Sequence, residues 1–291
     1  ECQSLGCLCV FYWSAKSLFF TLVIVISSFS DNQQKGSELK FFLLLKMFLI
    51  LGSSASLAKV NNADAVSDID QVLKGADMYR GFKDSDKFSM EVDVTYIANK
   101  VEKGKIGMKI YVKDLSTSLL QYMAPPEDKG KLILLNEENV KYYHKKIAKP
   151  LTLTLQQRLL GNASNADVAR ANFRYDYKPS LFKKTMLAGK NVLILELLAK
   201  KTKVAYRKIH LFVDAVSYRP LQAEFYAMSG KMLKTAVYTK FVKYKGHDKL
   251  KEQVITDAVN KNKKTIISYK RYDMEQLPDH KFNANFLPRF K

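Results

Sequence analysis

The chain has 291 residues, with 48 lysines and arginines against 28 aspartates and glutamates, a net charge of +20 at pH 7, and 47% of its residues are hydrophobic. Its cysteines are Cys2, Cys7 and Cys9, so a disulfide framework, a thiol nucleophile and thiolate metal ligation are excluded beyond Cys9. So large a basic excess attracts nucleic acid, anionic lipid headgroups or an acidic protein.

The chain opens on Glu1, and residues 1–40 read as an upstream extension, with translation expected to begin between Gln33 and Lys40. Within it, residues 11–29 are apolar apart from Lys16 and a few serines and threonines. They would anchor the chain as a weak membrane span only if translated. Residues 35–58 have the layout of an export signal. Lys35 and Lys40 precede an apolar run over residues 41–51, broken by Lys46, and small residues follow from Gly52 to Ala58. Ser56 and Ala58 then occupy the −3 and −1 positions of a cut before Lys59. The competing reading is a buried helix or a short anchor, but about 11 apolar residues cannot cross a ~30 Å bilayer. "SLGC" at residues 4–7 looks like a lipoprotein processing box, yet no apolar run precedes it, so no lipid anchor is expected. Cleavage after Ala58 leaves 233 residues with 44 basic and 25 acidic groups, enough for one large domain. For an exported chain the most abundant anions are phospholipid or lipopolysaccharide headgroups, and nucleic acid is not an expected partner.

Residues 59–66 read as a polar tether and 67–291 as the domain. Ile69, Val72, Leu73, Ala76 and Tyr79 recur at steps of three and four behind Ser67 and Asp68, which predicts a helix. "RGFKDSD" at 80–86 ends it, and the pattern turns to period two. Residues 88–97 place Phe88, Met90, Val92, Val94 and Tyr96 on one face. Residues 104–113 do the same with Ile106, Met108, Ile110 and Val112, across a short polar turn. Further strands are expected at 118–123, 131–135, 140–144, 192–198, 207–213, 220–228, 231–244, 251–259 and 264–273. About ten strands joined by hairpin turns predict a mainly β (α+β) fold, one strongly curved antiparallel sheet or half-open barrel. Two stretches break the rhythm: residues 158–180, where Ser164 and Asn165 can cap a short helix over about 166–173, and the end of the chain after Pro278.

No catalytic constellation emerges. His144, His210, His247 and His280 are scattered without metal-ligand spacing, and His144 and His210 read as plain surface histidines on strands. No nucleophile elbow, P-loop or dinucleotide fingerprint occurs. Glu137 and Glu138 sit in a polar turn, and the basic runs 200–203 and 260–264 read as hairpin tips. What remains is the apolar face of the sheet, which can be filled solid or can hold a ligand.

The order of elements carries a resemblance. A helix ending near "YRGF" precedes "FSMEVDVTY", "LLNEENVKYYHKKIAKPLTLT" and "QRLLGNASNADVARANF". Then come "LFVDAVSYRPLQAEFYAMSGKMLKTAVYTKFVKY" and "LPDHKFNANFL". Over about residues 69–287 this resembles the LolA/LolB-like outer-membrane lipoprotein-sorting proteins, in particular the broad LolA-like branch. Tyr143 and His144 stand where those relatives often show Trp and Pro. The resemblance implies a half-open barrel with helices covering a concave apolar face, and carriage of lipoprotein or lipid acyl chains through the periplasm toward the outer membrane. Cavity candidates are then Met90, Val92, Val94, Ile106, Met108, Ile110 and Phe225, and lid candidates Leu159, Leu160, Val168 and Phe173. It implies no enzyme, catalytic residue, cofactor or metal. The partners would be acyl chains and an anionic membrane surface or an envelope transporter or receptor protein. A lipid-sensing module that reports to a protein partner is the competing function.

Overall fold

The structure is a computed structural model, which describes residues 62–83, 86–274 and 277–290, with side chains from Ile69 onward. The export signal, its cut after Ala58 and the apolar segment 11–29 lie outside the described residues. Every described element falls in one unit, Val60–Lys291. Among the described residues no helix is long and apolar enough to cross a membrane.

Helix α1, Asn62–Met78, begins five residues before the expected cap. Its apolar stripe buries Val72, Leu73 and Ala76 almost completely. Strands β1 (Phe88–Ala98), β2 (Val101–Val112), β3 (Thr117–Ala124), β4 (Leu132–Asn136), β5 (Asn139–Tyr143) and β6 (Leu151–Leu153) follow. After two short strands, β7 (Arg158–Leu160) and β8 (Ala163–Ser164), comes helix α2 (Asn165–Ala169). The chain then returns as β9 (Tyr177–Leu187), β10 (Lys190–Ala199), β11 (Lys208–Asp214), β12 (Pro220–Tyr226), β13 (Met232–Tyr244), β14 (His247–Asp257) and β15 (Lys263–Asp273), and ends in two 3-10 turns.

Thirteen strands form one antiparallel sheet in the order β6-β5-β4-β3-β2-β1-β15-β14-β13-β12-β11-β10-β9. Each successive strand pairs with its predecessor in both arms, and the first strand pairs with the last. The sheet is not closed, and its free edges are β6 and β9. Residues 154–176 connect those two edges, so the topology makes them bridge the sheet. Leu155, Ala163, Val168, Ala169, Ala171 and Phe173 of this bridge join the same apolar cluster as the sheet's inner face. Val72, Leu73 and Ala76 of α1 join that cluster as well.

Period-two alternation does place the β1 and β2 stripes inward, with Met90 opposite Ile110, Val92 opposite Met108 and Val94 opposite Ile106. The hairpin turn is tighter than the sequence suggests. Asn99 and Lys100 alone make it, both with positive φ, as a two-residue turn matched to strand twist demands. Strands β6, β7, β8 and β9 are not among those the alternation predicts. The first three are two or three residues long. β9 is long but lies at an edge and is exposed along most of its length, so nothing enforces an apolar alternation on it, and it tolerates Pro179.

His144 and His210 correct the surface reading, since both are buried. His210 stands on the outer face, but the Phe182 ring stacks on it at 4.6 Å and the Tyr226 ring lies at 5.0 Å. Glu196 and Glu224 flank its two ring nitrogens at 3.3 and 3.6 Å.

Candidate ligand cavity under the bridging segment

The bridge is built from its turn upward. Gly161, between β7 and β8, has φ +57°, and a Cβ there would lie 2.4 Å from Tyr96 and 2.5 Å from the Thr265 hydroxyl. Glycine therefore lets the turn rest directly on the sheet, where the Asn162 N–H donates to Thr265 Oγ1 at 2.8 Å. Ser164 then caps α2. Its backbone N–H and its hydroxyl both donate to Asp167 Oδ2, at 2.7 and 3.0 Å.

Asp167 is the hub. Its other oxygen accepts from the Tyr206 hydroxyl at 2.8 Å, and Lys234 of β13 donates to Oδ2. Lys234 also donates to the Asn162 carbonyl at 2.8 Å and lies over the Tyr206 and Phe225 rings at 5.0 and 5.6 Å. Burial pulls the Lys234 ammonium below the ordinary lysine range, against the pull of Asp167. Both members of the pair are buried, so this ion pair fastens the bridge to the sheet without water.

Buried cations hold the rest by capturing backbone carbonyls. Arg170 donates to Leu115, Ser116 and Glu137 oxygens at 3.1, 2.9 and 2.7 Å and pairs with Asp176 at 2.8 Å. Arg80, just after α1, donates through Nη2 to the Arg170 carbonyl at 3.0 Å. Its guanidinium sits 4.3 Å over the Phe173 ring. Asp77 accepts the Phe173 and Arg174 N–H groups at 2.8 and 3.1 Å. Burial outweighs those bonds and the neighbouring guanidiniums and raises its carboxyl to about 6.

Between the bridge and strands β11–β14 lies a cavity of about 20 Å³, whose walls include Arg80, Phe173, Tyr206, Phe225, Tyr238 and Gln253. That is room for about one water molecule. A groove of about 570 Å³ abuts it, bordered by Arg158, Ser164, Tyr206, Leu233 and Lys234. Tyr206 belongs to both, so the Asp167–Tyr206–Lys234 cluster is the partition between cavity and groove. A second groove of about 510 Å³ runs between α1 and the β9 edge, past Ile69, Leu181, Leu193 and Tyr218.

Of the candidates from sequence, Phe225 and Phe173 line the cavity. Met90, Val92, Val94, Ile106, Met108 and Ile110 are buried side by side at β1–β2, away from it. Val168 is buried in α2, and Leu159 and Leu160 are partly buried on β7, all against the same cluster. Sequence reasoning missed the charged residues. A signal was present: Arg80 follows Val72 and Ala76 at four-residue steps, and Lys234 shares the inward phase of Ala236 and Tyr238. Among the described residues no three His, Cys, Asp or Glu side chains are placed to hold a metal ion.

A family model described as "Uncharacterized protein" matches residues 114–289. No curated protein matches the chain. Among solved structures, a LolA superfamily protein from Nitrosomonas europaea is 28% identical over 75% of this chain and 98% of its own, with a TM-score of 0.70. A domain described as a putative outer membrane lipoprotein-sorting protein, from Vibrio parahaemolyticus, is 18% identical over 78% and 100%, with a TM-score of 0.64. A DUF1329 family protein from Desulfovibrio piger is 16% identical over 77% and 96%, with a TM-score of 0.62.

Proposed function

Because the chain belongs to the LolA-like superfamily and to the uncharacterized-protein family matched over residues 114–289, we propose that it is an exported carrier of acyl chains in the periplasm. It would take up a lipoprotein or lipid on the inner face of its sheet and ferry it toward the outer membrane. The observation that carries this reading is the partitioned interior: an aromatic-walled cavity of about 20 Å³ separated from a groove of about 570 Å³ by one buried polar cluster. Exposing an acyl chain to water costs about 0.8 kcal/mol per CH2, so a carrier must enclose it. A cavity that holds one water encloses nothing of that size, so loading requires the bridge to lift and the Asp167–Lys234 pair to part. The pair is then a latch whose charges find water when the bridge opens. No covalent chemistry is invoked.

Titration with the neutral fluorophore N-phenyl-1-naphthylamine tests the reading. Saturable enhancement, displaced by a long-chain acyl ester, is the expected result. Fluorescence that never saturates overturns it.

A second reading, a lipid-sensing module on the same fold, is favoured by the β9 edge. Leu181, Phe182, Met186 and Leu187 are 40–68% exposed there, beside Lys178, Lys183 and Lys184, on a strand with free backbone groups. A stable complex with an envelope protein, retained through gel filtration, would support this alternative.

A further inference from the structure

Arg80 is 6% exposed, and its guanidinium is only partly satisfied. Nη2 donates to the Arg170 carbonyl, while Nε and Nη1 have no hydrogen-bond partner among the described residues. Buried polar groups are normally all bonded, and a buried charged donor left unmade is among the costlier exceptions. Neither nearby carboxylate completes it. Asp77 is committed to two backbone N–H groups, and Asp167 to Ser164, Tyr206 and Lys234. Arg80 is one of the residues that wall the cavity, together with Phe173, Phe225 and Tyr238. Aromatic surface suits a hydrocarbon chain, and the unbonded N–H groups suit an oxyanion at its end.

We propose that Arg80 anchors the anionic terminus of the cargo, a carboxylate or phosphate headgroup, so that this cavity selects acidic amphiphiles over neutral acyl chains. The inference rests on the carrier reading and adds the headgroup class to it. The oxyanion accepts from Nε and Nη1, and the hydrocarbon leaves past Tyr206 into the groove of about 570 Å³. Closing the bridge over the ligand desolvates the contact and strengthens it. Anionic cargo also gives Arg80 the acceptor that its protein neighbours do not supply.

The test compares palmitate, hexadecyl phosphate, methyl palmitate and inorganic phosphate as competitors of the neutral fluorophore, below their micellar concentrations. Palmitate or hexadecyl phosphate should bind at least ten-fold more tightly than methyl palmitate. Whichever of the two is tighter identifies the headgroup. Inorganic phosphate should not compete, and if it alone occupies the site the ligand is a free anion and the proposal fails. In Arg80→Met the preference for the acid over the ester should be lost, the ratio of the two affinities falling to about one, and a ratio that stays at the wild-type value overturns the proposal. Equal binding of acid and ester by the wild type overturns this inference while leaving the carrier reading standing. Failure of acid and ester alike overturns both. Should Arg80→Met not fold, palmitate labelled with carbon-13 at its carboxyl provides a readout on the wild type. The bound carboxylate should stay ionised at least one pH unit below the free acid, and an unshifted titration overturns the proposal.

Discussion

Replacing Asp167 by alanine lowers the free energy of unfolding by about 3–5 kcal/mol, the usual consequence of leaving one member of a buried ion pair behind. The stranded partner is Lys234, which is 6% exposed and packed against two aromatic rings. The same substitution removes the acceptor for Ser164 N–H and for Tyr206, so the start of α2 loosens as well. Replacing both members by apolar residues of similar size, as in Asp167→Leu with Lys234→Met, should restore the part of the loss that comes from the stranded charge, while Ser164 and Tyr206 still lack their acceptor. The double-mutant cycle, measured by urea denaturation, isolates the pair. If the single and double variants are equally destabilised, Asp167 acts through its cap alone and the latch is wrong. In the intact fold, the double variant should also take up the neutral fluorophore faster, since the partition at Tyr206 has lost its hub.

Between pH 4 and pH 7 the wild type should lose about 2–3 kcal/mol of stability relative to Asp77→Asn. The carboxyl of Asp77 is raised from 3.8 to about 6 in the folded chain, first by burial. A folded value above the unfolded one means that the folded state holds the proton more tightly. The contribution is therefore fully present below pH 3.8 and is lost as the pH rises through about 6. The amide introduced by Asp77→Asn does not titrate, so the difference between the two denaturation curves across this range reports the one carboxyl. A difference that stays flat, or grows in favour of the wild type as pH rises, means that Arg80 and Arg174 outweigh burial and keep Asp77 ionised. Asp77 joins α1 to the bridge through Phe173 and Arg174, so near neutrality its ionisation weakens the fold at the place where the cover must move.

The sheet is legible in the sequence wherever a strand has one wet face and one dry face. Val92 and Val94 announce their side because Glu91, Asp93 and Thr95 occupy the other. β9 has no dry face to announce, and the strands of the bridge are too short to show any period. The cavity is less legible, for a different physical reason. An alternating apolar strand looks the same whether it faces a ligand or another layer of side chains, and the β1–β2 stripe is buried in the common apolar cluster. What marks the cavity and its partition is charge at inward positions, Arg80 on the helical phase and Lys234 on the strand phase. A single inward cation reads as noise until the fold sets its partner beside it. For Lys234 that partner is Asp167, 67 positions away, and for Arg80 it is the Arg170 carbonyl, 90 positions away.

The edge-to-edge bridge is the feature on which the proposed carriage depends, and it too is invisible locally. Residues 154–176 look like a loop with a small helix, yet they connect the two free edges of a thirteen-stranded sheet. Their polar contacts are made largely through buried side chains holding backbone carbonyls, as Arg170 does at three places. In the proposed carrier such a cover is firm when shut and has nothing apolar to relinquish at those points when it opens.

The most direct measurement is mass spectrometry of an organic extract from the protein purified without detergent out of the periplasm of a diderm host. The carrier account predicts an acyl-bearing lipid or lipopeptide in stoichiometric amount. Protein that yields no acyl lipid, and that also leaves the neutral fluorophore dark, contradicts it.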